Sequence, residues 1–388
     1  MSEQISSFLS ERIAANDFPS AVYLVAEKGE IVLHEALGHA AVEPELIEAR
    51  RDTIYDLASL TKVLVTGLYA AYLIEDGRLT VDDRIATFLD QFDESDQNNV
   101  TVTQLASHTS RFKSWMPLYL ESASLLHVVE TISKQPLLEA SSQVVYSDLN
   151  FIILAQIIQK IERFRIDISI SEMFLDILRL RNTTFNPTTQ RNSGCLIPRI
   201  DIAASERGNA FERQTCVNLG YLGIHADSAK NPIAIAPGSD PFRNDVIWGE
   251  VHDGNAFFMG GVAGHAGLFS NAEEVFKIAQ QFLPNHTTLL KPETCDLFRT
   301  NFTPGMNEHR SFAFQLASTP DSTAGSKMSP ESFGHLGFTG TSLWVDPVKE
   351  RIFILLTNRT HNHDLPFVNI NSVRRKFHDL AIDFLDKI

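Results

Sequence analysis

Cysteine is scarce: Cys195, Cys216 and Cys295 are the only three in 388 residues, and none forms a C-x-x-C pair. An odd, sparse set argues against a disulfide framework. A basic run is also lacking. There are 33 Lys and Arg against 48 Asp and Glu, for a net charge of −15, and the one short basic cluster is Arg374-Arg375-Lys376. Nucleic-acid proteins carry a basic patch, and anionic membrane surfaces attract polybasic segments, so both partner classes are disfavoured. No apolar run has the length of a membrane span; FIILAQII, at 151–158, is too short. The opening MSEQISSFLSERIAAND has no basic stretch leading into an apolar one, so it does not read as a signal peptide. The expectation is a reduced, cytoplasmic, soluble protein.

The sequence does have material for a large core. Its residues are 44% hydrophobic and 21% charged, ordinary for a globular protein. The length suggests two or three core-sized units. Ile5, Phe8, Leu9 and Ile13 recur at helical spacing. SAVYLVAEKGEIVLHEALGHA then reads as a β-hairpin turning at Lys28-Gly29. Near the other end, TSLWVDP and RIFILLTNR are two strands around an Asp346-Pro347 turn, SFAFQLA is a third, and a helix runs from about Val368 to Ile388. The intervening chain is mostly helical in pattern. The expected architecture is α/β: an antiparallel sheet built from residues 1–58 and 305–388, flanked by terminal helices, with a mainly helical region, 59–304, inserted. The stretch from Pro187 to Asp245 is long for a loop and poor in periodicity, which marks it as functional or irregular.

In YDLASLTKVLVTGLYAAYLIEDG, the residues Leu60, Leu64, Leu68, Ala71 and Ile74 hold a helical period, and Gly77 is a plausible C′ residue. Ser59 is placed to cap the helix, and Lys62 shares its face at i+3. A serine hydroxyl is a weak nucleophile. A neighbouring lysine can take its proton if burial lowers the amine pKa. Ser-x-x-Lys alone is weak evidence, because Ser110-Arg111-Phe112-Lys113 repeats it in a segment that reads as a loop. Downstream, Tyr146-Ser147-Asp148 precedes a helix whose apolar face is Phe151, Leu154, Ile158 and Ile161. A tyrosine near Ser59 and Lys62 could relay protons; the plainer reading is a core tyrosine with a capping aspartate. In FGHLGFTGTSLWVDP, Gly334, Gly337 and Gly340 surround a strand entry where backbone N–H groups could stabilise an oxyanion and His335 could donate to a substrate oxygen. Turn glycines and a solvent histidine are the structural alternative.

Together these segments resemble the serine β-lactamase and penicillin-binding-protein superfamily, in its class C-like branch with family VIII carboxylesterases, D-amino-acid peptidases and cell-wall amidases. YDLASLTK, VTVTQLASHTS, YSDLNFIILAQIIQ, NTTFNP, GEVHDGNAFFMGGVAGHAGLFSNAEEV and GFTGTSLWVDP are similar to the family's longer blocks, in its order, from about residue 20 to 360. The resemblance implies a β-lactamase/transpeptidase-like fold and an acyl-enzyme formed on Ser59. Lys62 and Tyr146 become the proton-transfer pair. Asp148 stands where the Tyr-x-Asn motif ends, and His335 and Gly337 stand in the Lys/His-Thr/Ser-Gly motif. The N–H groups of Ser59 and Phe338 become the oxyanion donors. Two departures matter. Asp148 replaces an amide and loses a donor, and His335-Leu336-Gly337 lacks both the fixed charge and the hydroxyl that hold a carboxylate. The register Phe338-Thr339-Gly340 would restore the hydroxyl alone.

Other readings carry less. His252, Asp253 and His265 are of metal-ligand type but lack a metal-site spacing, so His252 is read as lining the substrate site and no metal is expected. His361-Asn362-His363-Asp364 reads as a solvated loop. GGVAGHAG is not a nucleotide loop; it leads to a capping box of Ser270 and Glu273, and its Gly261 and Gly264 permit a tight path near the pocket. Ser107, His108 and Ser110 are treated as scaffold. There is no G-x-S-x-G elbow, although a Ser-His-Asp triad is not excluded by counting. The expectation is a cofactor-free serine hydrolase acting on a small-molecule amide or ester of cell-wall (muropeptide) type, in cytosolic recycling, or on a small ester. The alternatives are a true β-lactamase or D-Ala-D-Ala carboxypeptidase, or a non-catalytic peptide- or sugar-binding member. The oligomeric state is open.

Overall fold

RIFILLT (β10, Arg351–Thr357) is buried at every position, as a strand covered on both faces must be. It pairs antiparallel with β1 (Ser20–Glu27) and β9 (Ser342–Asp346), so the two ends of the chain meet in one sheet. The remaining strands of this sheet are β2 (Glu30–Ala41), β3 (Ile47–Glu48), β7 (Gln315–Leu316) and β8 (Phe333–Leu336). The order is β3-β2-β1-β10-β9-β8-β7, antiparallel throughout. The structure is a computed structural model and describes residues 2–140, 143–189, 196–222 and 241–387.

The hairpin turns at Lys28-Gly29 as expected, with φ of 50° and 85°, the left-handed pair that matches strand twist. Alternation along the strands sorts the core. Tyr23, Val25, Trp344, Phe353 and Leu355 face Ile5 and Leu9 of the N-terminal helix (Ser2–Ala14) and Phe377 and Ala381 of the C-terminal helix (Asn371–Leu385). Val22, Leu24, Ile352, Ile354 and Leu356 face the inserted region, among Leu64, Leu68, Phe282 and Phe314. Burying each such side chain contributes roughly 1.5–3 kcal/mol.

Several local expectations shift. Of SFAFQLA only Gln315–Leu316 is strand. The last helix starts at Asn371, because the Asn369 side chain accepts the Asn371 N–H in a turn just before it. The cap before helix Ala272–Ala279 is Asn271, whose side chain accepts the Glu274 N–H at 2.9 Å, one residue later than the Ser270–Glu273 box. The Pro187–Asp245 stretch contains a helix, Ala210–Asn218; part of that stretch, with Cys195, lies outside the described residues.

The inserted region is not wholly helical. It joins β4 (Tyr55–Asp56), β5 (Thr184–Phe185) and β6 (Leu268–Ser270) in a second sheet of order β4-β6-β5. Strands of two or three residues carry no readable period. This small sheet lays the approach to Ser59 against the approach from His265. Among the described residues, no helix is long and apolar enough to cross a membrane.

Candidate active site

Ser59 lies between β4 and a helix. Asp56 Oδ1 accepts the Ala58 N–H at 2.8 Å, and Ala58 turns at φ +47°. A left-handed alanine costs about 1 kcal/mol and persists where neighbours fix it. Here Thr339 and Thr341 donate to the carbonyls of Asp56 and Leu57 at 2.7 and 3.0 Å. Lys62–Gly67 is π-helical and continues into helix Leu68–Glu75, which ends before Gly77 at φ +73°. Ser59 does not cap this helix. Its Oγ takes a hydrogen bond from Lys62 Nζ at 2.8 Å instead.

Lys62 is wholly buried. Its Nζ also contacts Asp148 Oδ1 at 2.8 Å and donates to the His265 carbonyl at 3.0 Å. This reverses the expected polarity. Burial alone pushes the amine pKa down, but Asp148 and then Tyr146 outweigh it, and the pKa is raised. Lys62 is an ammonium, and Asp148 is its counter-ion rather than a lost donor.

Asp148 is the first residue of helix Asp148–Glu162, where a carboxylate also suits the helix dipole. The Tyr146 ring centroid is 5.1 Å from Lys62 Nζ and 4.5 Å from the His108 ring. His108 Nδ1 accepts the Ser147 N–H at 3.0 Å, so this supposed scaffold residue fixes the Tyr146–Asp148 turn. The second Ser-x-x-Lys copy is loop, with Ser110 bonded to Asn150 and Lys113 to Gln135.

His335 closes β8 and is buried. Its Nδ1 must donate to the Leu336 carbonyl at 2.9 Å, since a carbonyl only accepts. Burial, with Lys62 and Arg310 nearby, holds the imidazole pKa well below its usual value, so the ring is neutral. Nε2 is therefore a bare acceptor without a partner among the described residues, where the sequence led us to expect a donor. Gly337 is required by packing: a Cβ would meet Thr341 Oγ1 at 1.9 Å and the Leu57 carbonyl oxygen at 2.6 Å. Because Thr339 is spent on Asp56, the strand presents His335, Leu336, Gly337 and Phe338 to the cavity. No acceptor among the described residues takes the N–H of Ser59 or of Phe338.

His252 Nε2 is 2.7 Å from Glu206, its ring stacks on Phe338, and its N–H goes to Asp56 at 2.7 Å. The net effect on its pKa is upward, Glu206 outweighing burial. Asp253 pairs with His265 at 2.9 Å. Asp148, Asp253 and His265 bring ligand-type atoms within 4.8 Å of one another. The Lys62 ammonium touches this group through Asp148 and supplies a cation there. His361 is no solvated residue: it is buried, and its two nitrogens engage the Val42 N–H and the Ser205 carbonyl.

All eight expected site residues except Lys62 line one cavity of about 600 Å³; Lys62 lies behind Ser59. Sequence reasoning missed three arginines on its wall, Arg310, Arg359 and Arg374. Arg310 is paired with Glu308 at 2.6 Å. Arg359 and Arg374 make no ion pair among the described residues, and burial pushes their pKa values down to about 10 and about 9. Arg374 was visible only as part of a basic cluster. They return to the pocket the positive charge that His335-Leu336-Gly337 lacks.

The sequence model of the Beta-lactamase family matches residues 5–374. The chain belongs to the beta-lactamase family. As a beta-lactamase-family member it is a serine hydrolase. A curated relative from Escherichia coli (strain K12), "Putative D-alanyl-D-alanine carboxypeptidase", is 28% identical over 385 residues, covering 92% of this chain and 82% of its own. Among solved structures, EstCE1, a hydrolase with promiscuous acyltransferase activity, superposes with a TM-score of 0.69 at 18% identity, covering 97% of this chain and 98% of that one. A class C beta-lactamase gives 0.67 at 14% identity, covering 98% and 97%. At these identities the solved structures establish the beta-lactamase-family fold alone.

Proposed function

We propose that the protein hydrolyses an amide or ester of cell-wall peptide type through an acyl-enzyme on Ser59. The observation that carries this reading is the 2.8 Å contact of a buried lysine with a serine hydroxyl that lines a large cavity. Ser59 Oγ attacks the carbonyl, Lys62 and Tyr146 move its proton, and the N–H groups of Ser59 and Phe338 receive the oxyanion. The leaving group departs protonated, and water then cleaves the acyl ester. Arg359 and Arg374, without acidic partners among the described residues, favour a substrate with a free carboxylate. The name of the curated relatives points the same way. The test is intact mass after brief incubation with a serine-directed acylating probe, penicillin G or a muramyl peptide. A single adduct on Ser59, absent in Ser59→Ala, is expected. A folded protein that none of the three acylates would overturn the reading.

A further inference from the structure

The Lys62 amine touches Asp148 Oδ1 at 2.8 Å, Ser59 Oγ at 2.8 Å, the His265 carbonyl at 3.0 Å and the Tyr146 hydroxyl. An ammonium has three N–H donors and no lone pair. As it stands, Lys62 has no site on which to receive the serine proton. It must first lose one of its own, and the group receiving it must be an ionisable acceptor in contact with Nζ. The His265 carbonyl is not a base, Ser59 is the proton's source, and the Tyr146 phenol already carries a proton of its own. Asp148 remains. Its Oδ1 is buried and, among the described residues, makes no hydrogen bond besides the ion contact with Lys62.

We propose that Asp148 is a catalytic proton acceptor that primes Lys62 for acylation. The proposal rests on Ser59 being the nucleophile. An N–H bond of Lys62 breaks and an O–H bond forms on Asp148 Oδ1, leaving a neutral pair. The freed lone pair on Nζ takes the Ser59 proton as the bond from Oγ to the substrate carbon forms. When the tetrahedral intermediate collapses, Lys62 gives that proton to the leaving nitrogen or oxygen. Asp148 then returns its own proton to Lys62. The acyl-serine and the protonated leaving group are the only net products, and the ion pair is restored. Burial assists the first transfer, because a low-dielectric site penalises two charges more than two neutral groups.

The groups facing this pair are Tyr146 beside Asp148, Asp253 and His265 from the glycine-rich segment, His335 from β8, and Arg310 and His108 around the Tyr146 ring. Of these, Tyr146 and Asp148 touch Nζ, and Asp148 alone presents a carboxylate to it.

The experiment measures single-turnover acylation of Ser59 by the serine-directed probe, from about pH 6 to pH 10, in wild type, Asp148→Asn and Asp148→Gly, with Ser59→Ala as control. Asp148→Asn should acylate about 100-fold more slowly near neutral pH, within the range lost with a general base. That loss should shrink as pH rises, because Lys62 without its counter-ion sheds its proton more readily and becomes a base unaided. Added formate should accelerate Asp148→Gly in proportion to its concentration. Near-wild-type acylation by Asp148→Asn at neutral pH, or a loss that is the same at every pH with no formate rescue, would overturn the proposal. Absence of a Ser59 adduct in wild type would instead sink the acyl-enzyme reading, and this proposal with it.

Discussion

Lys62 donates to the carbonyl of His265 at 3.0 Å across 203 residues of sequence. One turn further along, Thr66 donates to the neighbouring carbonyl of Gly264 at 2.6 Å. Two successive carbonyls thus pin the nucleophile's helix to the glycine-rich segment. The approach is close: a Cβ on Gly264 would lie 2.3 Å from Ala155 Cβ and 2.3 Å from the Phe151 carbonyl oxygen.

Gly264→Ala is therefore expected to lower stability by about 1–3 kcal/mol, the usual range for overpacking. It should also slow acylation, because relief of the clash moves His265 off Lys62. Urea unfolding and probe labelling of the same preparation check both. An unchanged urea midpoint would show that the contact with the Asp148–Glu162 helix is slack.

Lys62→Met should cost more than loss of packing, since it leaves Asp148 without its counter-ion. With the lysine wholly buried and Asp148 17% exposed, about 2–3 kcal/mol is expected, below the range for a fully buried pair. The double variant Lys62→Met/Asp148→Asn should recover at least half of that. A double-mutant cycle by urea unfolding measures the coupling, and strict additivity would contradict the ion pair.

His378 provides a pH test remote from the site. It is buried between Trp344, Phe353 and Phe377, and burial pushes its pKa down to about 3. The folded chain then resists a proton that the unfolded chain accepts near the ordinary value of 6.5. Its neutral form thus costs no stability above that value, and stability falls progressively as pH drops from about 6.5 towards about 3. His378→Gln should shrink the difference in unfolding free energy between about pH 7 and pH 4.5 by about 2–3 kcal/mol. An equal difference in variant and wild type would refute the assignment.

Arg359 tests the substrate reading. Its Nε and Nη1 serve the carbonyls of Phe338 and Val368 at 2.7 and 2.8 Å, and no acid neutralises it among the described residues. Arg359→Gln should reduce kcat/KM on a peptide with a free carboxylate by about ten- to a hundredfold, the worth of a charge-assisted hydrogen bond. A neutral ester of the same acyl group should change by less than about threefold. Equal losses on both substrates would remove the carboxylate from the argument.

The outline of this protein is written in local sequence patterns. Terminal strands with a two-residue alternation, closing helices and an apolar helix after Ser59 follow from local periodicity. The longer blocks around Ser59, Tyr146, His265 and His335, in their order along the chain, suggested a family. The hairpin turn at Lys28-Gly29 and the helix end at Gly77 were legible too, because turn chemistry is local. The charge and the hydrogen-bond direction of each site group came instead from contacts between distant segments. Lys62 was expected to be an easily deprotonated amine and is a raised-pKa ammonium, since Asp148 outweighs burial. His335 was expected to donate and instead presents a bare acceptor, since the Leu336 carbonyl orients its ring. Arg359 and Arg374 reach the cavity from beyond β10, and no motif marked them. Charge state and hydrogen-bond direction depend on burial and on partners brought from distant segments. Periodicity reports only which face of an element is apolar.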